Sequence, residues 1–176
     1  ARSLNAGFVR RMDHGRPFVR LKIAMSLDGR TAMQSGESQW ITGPEARRQV
    51  QRLRARASAV LTGVESVIFD NSRLTVRADQ LGLPDAEAIA ARQPPRVIVD
   101  SRLRLPGRAA CLPEPGRTLV VAVEGVDEER IARLTRAGAE VLTLPAGDDG
   151  RVDLDAVLRH LAEVEQANEV LLETGA

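Results

Sequence analysis

The second half of the chain alternates short apolar runs with amphipathic segments, and this alternation limits the fold more than any other feature. The apolar runs are RVIVD at 96–100, TLVVAV at 118–123, EVLTLP at 140–145 and EVLLE at 169–173. Segments 127–139 and 154–166, which precede the last two runs, carry their apolar residues at helical spacing. Strands that alternate with helices predict an α/β domain with a mostly parallel central sheet flanked by helices.

The first half of the chain predicts two more strands. Residues 18–25, FVRLKIAM, alternate in polarity, and the apolar set expected to face the core is Val19, Leu21, Ile23 and Met25. Residues 58–63, SAVLTG, predict a short buried strand. Residues 1–17 have little periodicity, so we interpret them as a linker that enters a domain spanning residues 18–176.

A helix is predicted to begin near residue 43. Thr42 and Glu45 have the T-x-x-E spacing of a capping box, and Pro44 lies in the first turn, where its missing N–H costs nothing. The apolar stripe of this helix is Ala46, Val50, Leu53 and Ala57. Arg54 is the arginine that points nearest to the stripe. The following residues, 67–77, predict a turn and a short extended piece, and 78–95 predict a polar excursion with a marginal helix.

Composition narrows the classes of function. The formal net charge of the 176 residues is +1, which argues against nucleic-acid or membrane binding driven by overall charge. Cys111 is the only cysteine, so an internal disulfide is excluded and a structural zinc site is disfavoured. The sequence contains no apolar run of the roughly 18 residues that a membrane span needs and no apolar core of a signal peptide. These features predict a cytoplasmic protein with no bound metal.

The single tryptophan, Trp40, lies in a polar loop. Ser35, Gly36 and Ser38 precede it, and a planar side chain beside small hydrogen-bonding groups suits a nucleotide or another heteroaromatic ring. The alternative is that Trp40 packs on the helix that follows it. Taken alone, the residues of the loop favour packing of Trp40 on the helix over contact with a ligand.

Several polar residues stand at the ends of predicted elements. Lys22, Arg54 and Arg77 are the basic groups that a phosphorylated substrate requires, although each one alone is more typical of a surface charge. Asp100, Ser101 and Glu173 end predicted strands, where α/β sheets present polar groups to ligands. The GxGxxG and GxxxxGK nucleotide motifs and the zinc-deaminase signature are absent from the sequence.

Five stretches together resemble one known family. They are KIAMSLDGRTAMQSGESQWIT at 22–42, LRARASAVLTG at 53–63, DNSRLTVR at 70–77, RVIVDS at 96–101 and LLETG at 171–175. In this order they are similar to the reductase domain of the bifunctional riboflavin-biosynthesis deaminase/reductase. The resemblance implies a dihydrofolate-reductase-like α/β fold. It also implies NADPH-dependent reduction of the ribosyl group of 5-amino-6-(5-phosphoribosylamino)uracil to the ribityl form, commonly in a homodimer.

The resemblance also assigns residues to two sides of a site. On the NADPH side it implies Ala24, Trp40, Ser66, Asp70 and Ser101. On the substrate side it implies Ser38, Arg54, Leu74, Arg77 and Glu173. It gives no residue the role of proton donor.

The chain departs from the family pattern in places. Ser66 stands where the family usually has Thr, and Ser72 stands where it usually has Pro. The deaminase domain is absent from the sequence, so no deaminase activity is expected, and the pattern after Glu173 suggests a domain that lacks its C-terminal part. Two alternatives remain: a pterin or dihydrofolate-type reductase of the same fold, and a non-catalytic fragment that binds NADPH.

Overall fold

A six-stranded sheet organises the protein. The computed structural model describes residues 4–36 and 41–174. The strands are β1 Phe18–Ile23, β2 Ala59–Gly63, β3 Arg96–Val99, β4 Thr118–Val123, β5 Glu140–Leu144 and β6 Glu169–Thr174. The helices are α1 Ala6–His14, α2 Pro44–Arg56, α3 Val64–Asp70, α4 Ala78–Leu81, α5 Ala86–Ala90, α6 Glu128–Arg136 and α7 Leu154–Glu163. All neighbouring strands pair in parallel, in the order β1-β6-β2-β3-β4-β5. The predicted α/β fold with a parallel central sheet is therefore confirmed.

The last strand, β6, lies inside the sheet instead of at its edge. It pairs with β1 on one side, where Lys22 is in register with Glu173, and with β2 on the other side, where Leu61 is in register with Leu172. Because parallel strands all point the same way, the carboxyl ends of β1, β6, β2 and β3 meet at one edge of the sheet.

Both faces of the sheet are covered by apolar residues. On one face Val60, Ile98 and Val120 pack with residues of α3 and α6, and on the other face Leu61, Val97, Val121 and α7 pack together. Burial on both faces explains why the sequences of β2, β3 and β4 read as nearly continuous apolar runs.

Strand β1 departs from the sequence prediction. The side chains of Leu21, Ile23 and Met25, predicted to face the core, are 55%, 40% and 56% exposed. Within the described part of the chain β1 lies at the edge of the sheet, so a strand pattern alone could not show whether anything covers its apolar face.

Helix α2 forms where it was predicted, with Pro44 in its first turn, but its cap differs. Gly43 is the N-cap and no side chain caps the helix, so the predicted capping box of Thr42 and Glu45 is wrong. Its buried side chains are Gln51 and Arg54. Arg54 is thus the buried arginine of this helix. The predicted apolar stripe is not its buried face, because Ala46 is exposed and Val50, Leu53 and Ala57 are only partly buried.

Two helices lie where the sequence analysis expected irregular chain. Helix α1 occupies much of the expected linker, and its approach to the sheet is close, because a Cβ atom on Gly7 would lie 2.7 Å from the carbonyl oxygen of Asn168. Helix α3 replaces the first part of the expected turn after β2. The division into a linker of residues 1–17 and a domain of residues 18–176 stays a prediction.

A buried arginine joins β3 to the loop that precedes β4. Arg96 has no exposed surface, and its guanidinium donates to the Thr118 hydroxyl and to the carbonyl oxygens of Glu114, Pro115 and Gly116 at 2.7–3.0 Å. Burial lowers the pKa of this guanidinium. These carbonyl groups belong to a loop and have no partner in a neighbouring strand. The Arg96 guanidinium therefore supplies the hydrogen bonds that backbone pairing provides within a sheet.

None of the described helices is long and apolar enough to cross a membrane. The described residues also contain no group of His, Cys, Asp and Glu side chains arranged to hold a metal ion.

Replacing Arg96 by Met is expected to lower the free energy of unfolding by about 3 kcal/mol, because several carbonyl groups lose their donors. Urea denaturation followed by circular dichroism measures this change. The control is Arg117→Met, which breaks ion pairs to Glu140 and Glu165 at the surface and is expected to cost at most about 1 kcal/mol. Equal losses in the two variants would contradict a special role of Arg96.

Candidate functional site

The carboxyl edge of the sheet gathers residues from separate parts of the sequence. Ala24 follows β1, Glu173 lies near the end of β6, Ser66 lies in the helix that follows β2, and Ser101 follows β3. The strand order places the ends of β1, β6, β2 and β3 side by side. Residues predicted for the cofactor side and for the substrate side therefore lie along one edge.

The centre of this edge is a buried ion pair between Arg54 and Glu173. The Nε of Arg54 donates to Oε1 of Glu173 at 2.5 Å, and Nη2 donates to Oε2 at 2.9 Å. The two residues are 7% and 8% exposed. A third donor, Nη1, binds the carbonyl oxygen of Thr75 at 2.9 Å. One guanidinium thus joins α2, β6 and the segment that leads to Arg77.

The position of Glu173 is secured from the neighbouring strand. The hydroxyl of Thr62, which is buried in β2, donates to the carbonyl oxygen of Glu173 at 2.8 Å. This bond continues the contact of β2 with β6 past the last residue pair of their ladder, Leu61 and Leu172. The carboxylate therefore projects from a backbone held on both sides.

Lys22 is a further member of the site. It is in register with Glu173 across β1 and β6, so both side chains project from the same face of the sheet. Lys22 is partly exposed and makes no ion pair with any described residue. The sequence analysis identified Lys22 only as a basic group at the end of a predicted strand.

The loop from α3 to α4 carries two residues in the left-handed backbone conformation. Asn71 has φ 45° and Leu74 has φ 58°. The Asn71 side chain accepts a hydrogen bond from the backbone N–H of Ala110 at 3.0 Å. Leu74 is 3% exposed and packs in the core. Its predicted contact with substrate stays a prediction.

Arg77 follows this loop at the start of α4. It is exposed, and its guanidinium contacts Gln80 Oε1 at 3.5 Å. Within the described ranges it makes no ion pair, in contrast with Arg54 and its carboxylate partner. Arg77 is thus the more accessible of the two arginines predicted to bind phosphate.

The predicted cofactor residues lie on α3 and after β3. Ser66 is half-buried and Asp70 is exposed at the last turn of α3. Ser101 Oγ accepts a hydrogen bond from the Val152 N–H at 3.0 Å, which leaves the hydroxyl hydrogen of Ser101 free to be donated. Phe69, which the sequence analysis missed, is 71% exposed between Ser66 and Asp70. The feature of the sequence that could have identified Phe69 is its position directly before the polar residues 70–72.

Asp100 supports the turn that contains Ser101. It is 1% exposed, its Oδ2 accepts from the Leu105 N–H at 2.7 Å, and its carbonyl oxygen accepts from the Leu103 N–H at 3.0 Å. Leu103 has φ 51°, so the turn is held in a conformation that leucine rarely adopts. The sequence analysis identified Asp100 as a strand-end polar residue, and the structure shows it bound to its own turn.

The loop after β1 is described through residue 36. The Ser26 hydroxyl donates to Asp28, which lowers the pKa of that carboxyl, and the Arg30 guanidinium 2.9 Å away adds to the effect. Ser38 and Trp40, the other predicted site residues of this loop, lie outside the described residues.

Glu173→Gln is expected to lower the free energy of unfolding by about 3 kcal/mol, because it leaves Arg54 as a buried charge without its counter-ion. The matched control on the same strand is Glu169→Gln, which removes a more exposed pair with Arg20 and is expected to cost at most about 1 kcal/mol. Urea denaturation separates the two. Comparable losses would mean that the Arg54–Glu173 pair does not hold the edge together.

Comparison with known proteins adds to this geometry. A family model described as the RibD C-terminal domain matches residues 17–176. The riboflavin biosynthesis protein RibD of Escherichia coli (strain K12) is 38% identical over 179 residues, which covers 99% of this chain and 47% of that protein. The chain therefore spans about half the length of this curated relative.

Solved structures agree with the sequence relatives. A structure described as Acinetobacter baumannii RibD, form 1, matches with a TM-score of 0.80 and 43% identity, over 99% of this chain and 44% of that one. A Thermotoga maritima protein described as a diaminohydroxyphosphoribosylaminopyrimidine deaminase/5-amino-6-(5-phosphoribosylamino)uracil reductase matches with a TM-score of 0.72 and 30% identity, over 99% of this chain and 43% of that one. The sheet described above is thus the dihydrofolate-reductase-like α/β fold of these reductase domains.

Proposed function

The chain belongs to the RibD C-terminal domain family, and on that premise we propose that it is the reductase part of a riboflavin-biosynthesis enzyme. The proposed reaction reduces the ribosyl group of 5-amino-6-(5-phosphoribosylamino)uracil to the ribityl form, with NADPH as the reductant. The observation that carries the proposal is the buried Arg54–Glu173 pair in a chain of this family. Lys22 is in register with Glu173, and the same Arg54 guanidinium binds the backbone two residues before Arg77.

Arg77 is the proposed anchor of the substrate phosphate. Its exposed guanidinium makes no ion pair within the described residues, and its planar fork fits two phosphate oxygens. Arg54 adds a second positive charge near the proposed phosphate site. Of its five N–H groups, three are used by Glu173 and Thr75, which leaves two for a ligand.

Glu173 and Lys22 are the proposed contacts of the sugar. Their side chains project from neighbouring strands on one face, with a carboxylate that accepts hydrogen bonds and an ammonium group that donates them. Such a pair holds a chain of hydroxyl groups in a fixed orientation. Orientation is the main contribution that the protein must make when a cofactor carries the chemistry.

The cofactor side is proposed to use Ala24, Ser66, Asp70, Ser101 and Trp40. When bound, NADPH supplies the hydride that is transferred to the ribosyl carbon. The residues present fit such a molecule: Ser101 has a hydroxyl hydrogen to donate, and Ser66 is half-buried on α3 beside the exposed ring of Phe69. We add Phe69 to the proposed cofactor side, because an exposed ring offers a flat apolar surface.

Two properties of the parent enzyme are also proposals. A cytoplasmic location is consistent with the composition of the chain. Self-association as a homodimer is supported by the exposed apolar face of β1, which includes Leu21 and Ile23.

The proposed function is tested by titrating NADPH into the 176-residue chain and following the fluorescence of Trp40, the single tryptophan. Saturable quenching by NADPH that NADH does not match is expected. Oxidation of NADPH that depends on 5-amino-6-(5-phosphoribosylamino)uracil then tests turnover. Binding without turnover would favour a non-catalytic fragment, and oxidation that depends on a dihydropterin instead would favour a pterin-type reductase.

Arg77→Gln is expected to raise the KM for the phosphorylated substrate by about 30-fold, because a charge-assisted contact with phosphate of about 2 kcal/mol is lost. The KM for NADPH should stay the same. Steady-state kinetics measures both values. The control, Arg10→Gln, removes an exposed arginine of α1 and should change neither KM. An unchanged substrate KM in Arg77→Gln would show that the phosphate binds elsewhere.

A further inference from the structure

The short segment Thr75–Val76–Arg77 lies outside every described strand, although Thr75 and Val76 are 5% and 4% exposed. Buried backbone N–H and C=O groups need hydrogen-bond partners, and a segment outside a sheet cannot take them from a neighbouring strand. Here side chains from distant parts of the sequence supply the partners.

Gln93 provides both partners of Val76. Its Oε1 accepts from the Val76 N–H at 2.9 Å, and its Nε2 donates to the Val76 carbonyl oxygen at 2.8 Å. The same Nε2 donates to the carbonyl oxygen of Ala90 at 2.7 Å. The side-chain amide of Gln93 therefore binds Val76 as the backbone of a neighbouring strand would, and it ties the segment to the end of α5.

Gln51 provides the partner of Arg77. It is 4% exposed on α2, and its Oε1 accepts from the Arg77 N–H at 2.9 Å. Its Nε2 has a long contact of 3.4 Å with Gln80 Oε1. The short bond of this buried amide is thus the one to the backbone of Arg77.

We propose that Gln51 and Gln93 are positioning residues, which hold the backbone of Val76 and Arg77 so that the Arg77 guanidinium is in place to bind the phosphate of the substrate. This inference rests on the proposed function and deepens it, because it assigns the geometry of the phosphate site to two glutamines. Neither residue is among those that the family resemblance assigns to the site.

The proposal follows from what loss of either amide would do. Without Gln51, the partly buried N–H of Arg77 loses its acceptor, and the segment is expected to move outward so that this group reaches water. Arg77 is the N-cap residue of α4, so this movement shifts the Cα atom from which its long side chain extends. A misplaced phosphate anchor weakens the binding of the substrate more than it slows the hydride transfer.

The test compares four variants of the 176-residue chain. Gln51→Met and Gln93→Met keep the length of the side chain and remove its polar atoms. Gln51→Glu keeps an oxygen that accepts from the Arg77 N–H. Arg52→Gln is the matched control, because Arg52 is next to Gln51 on α2 and also binds near α4, at the carbonyl oxygens of Leu81 and Gly82.

The measurements are the KM for the phosphorylated substrate, the KM for NADPH, kcat, and hydrogen exchange at the amides of residues 76 and 77. Gln51→Met and Gln93→Met are expected to raise the substrate KM by about 10-fold and to leave kcat within about 2-fold. The NADPH KM should not change. Exchange should become faster at the Arg77 amide in Gln51→Met and at the Val76 amide in Gln93→Met.

The two remaining variants separate positioning from stability. Gln51→Glu should restore the substrate KM to within about 3-fold of the unaltered chain. Arg52→Gln should lower the melting temperature without a change in either KM. If Gln51→Met does not fold, Gln93→Met and Gln51→Glu decide the question. A substrate KM that is unchanged in Gln93→Met, or raised equally in Arg52→Gln, would overturn the proposal.

A titration of the unaltered chain with ribose 5-phosphate keeps this inference distinct from the proposed function. A shift of the Arg77 amide resonance supports the phosphate site, and the variants then decide the role of the glutamines. If ribose 5-phosphate leaves that resonance unchanged, the substrate side of the proposed function is wrong and the inference falls with it. A response that is equally strong in both Met variants overturns the inference alone.

Discussion

The buried ion pair between Arg54 and Glu173 is the contact on which the arrangement of the candidate site depends. It joins a helix, the inserted strand β6 and the segment before Arg77 through one guanidinium. Two charges removed from water are stabilising only when their geometry is good and their remaining hydrogen-bond capacity is used. The two-point contact has this geometry, and together with the bond to the Thr75 carbonyl it uses three of the five N–H groups of Arg54. The pair therefore acts as a positional constraint more than as a source of stability.

Two regions surround this pair: the apolar layers that cover the sheet, and a region where polar side chains bind the backbone. The two apolar layers that cover the sheet consist of Val, Leu, Ile and Ala side chains and give the domain its cohesion. Between α3 and α4 the backbone leaves regular structure, and the side chains of Gln51 and Gln93 supply its hydrogen bonds. A site built in this way can hold strained conformations, such as that of Leu74, without any help from a strand.

Particular residues show how far the sequence could be read. The runs at β2, β3, β4 and β6 were recognisable because consecutive residues of these strands are buried, so apolar residues follow one another. The apolar face of β1 was placed wrongly, because alternation indicates a strand face but not what lies against it. Helix α3 was missed because its few residues, VESVIFD, contain β-branched and aromatic residues that favour strands in isolation. Gln51 and Gln93 carried no signal, since a glutamine that binds a distant backbone looks the same as one at the surface.

The sequence by itself determined the class of fold, the order along the chain of its six strands and of helices α2, α6 and α7, and the family resemblance with the residues that it implies for the site. These properties depend on local periodicity and on motifs that are continuous in the chain. Only the tertiary structure decided that β6 lies between β1 and β2, that Lys22 stands beside Glu173, and that Arg54 is paired with Glu173 across 119 positions of sequence. The physical reason is that strand order and buried pairing depend on which surfaces meet when the chain collapses, and no local pattern records that choice.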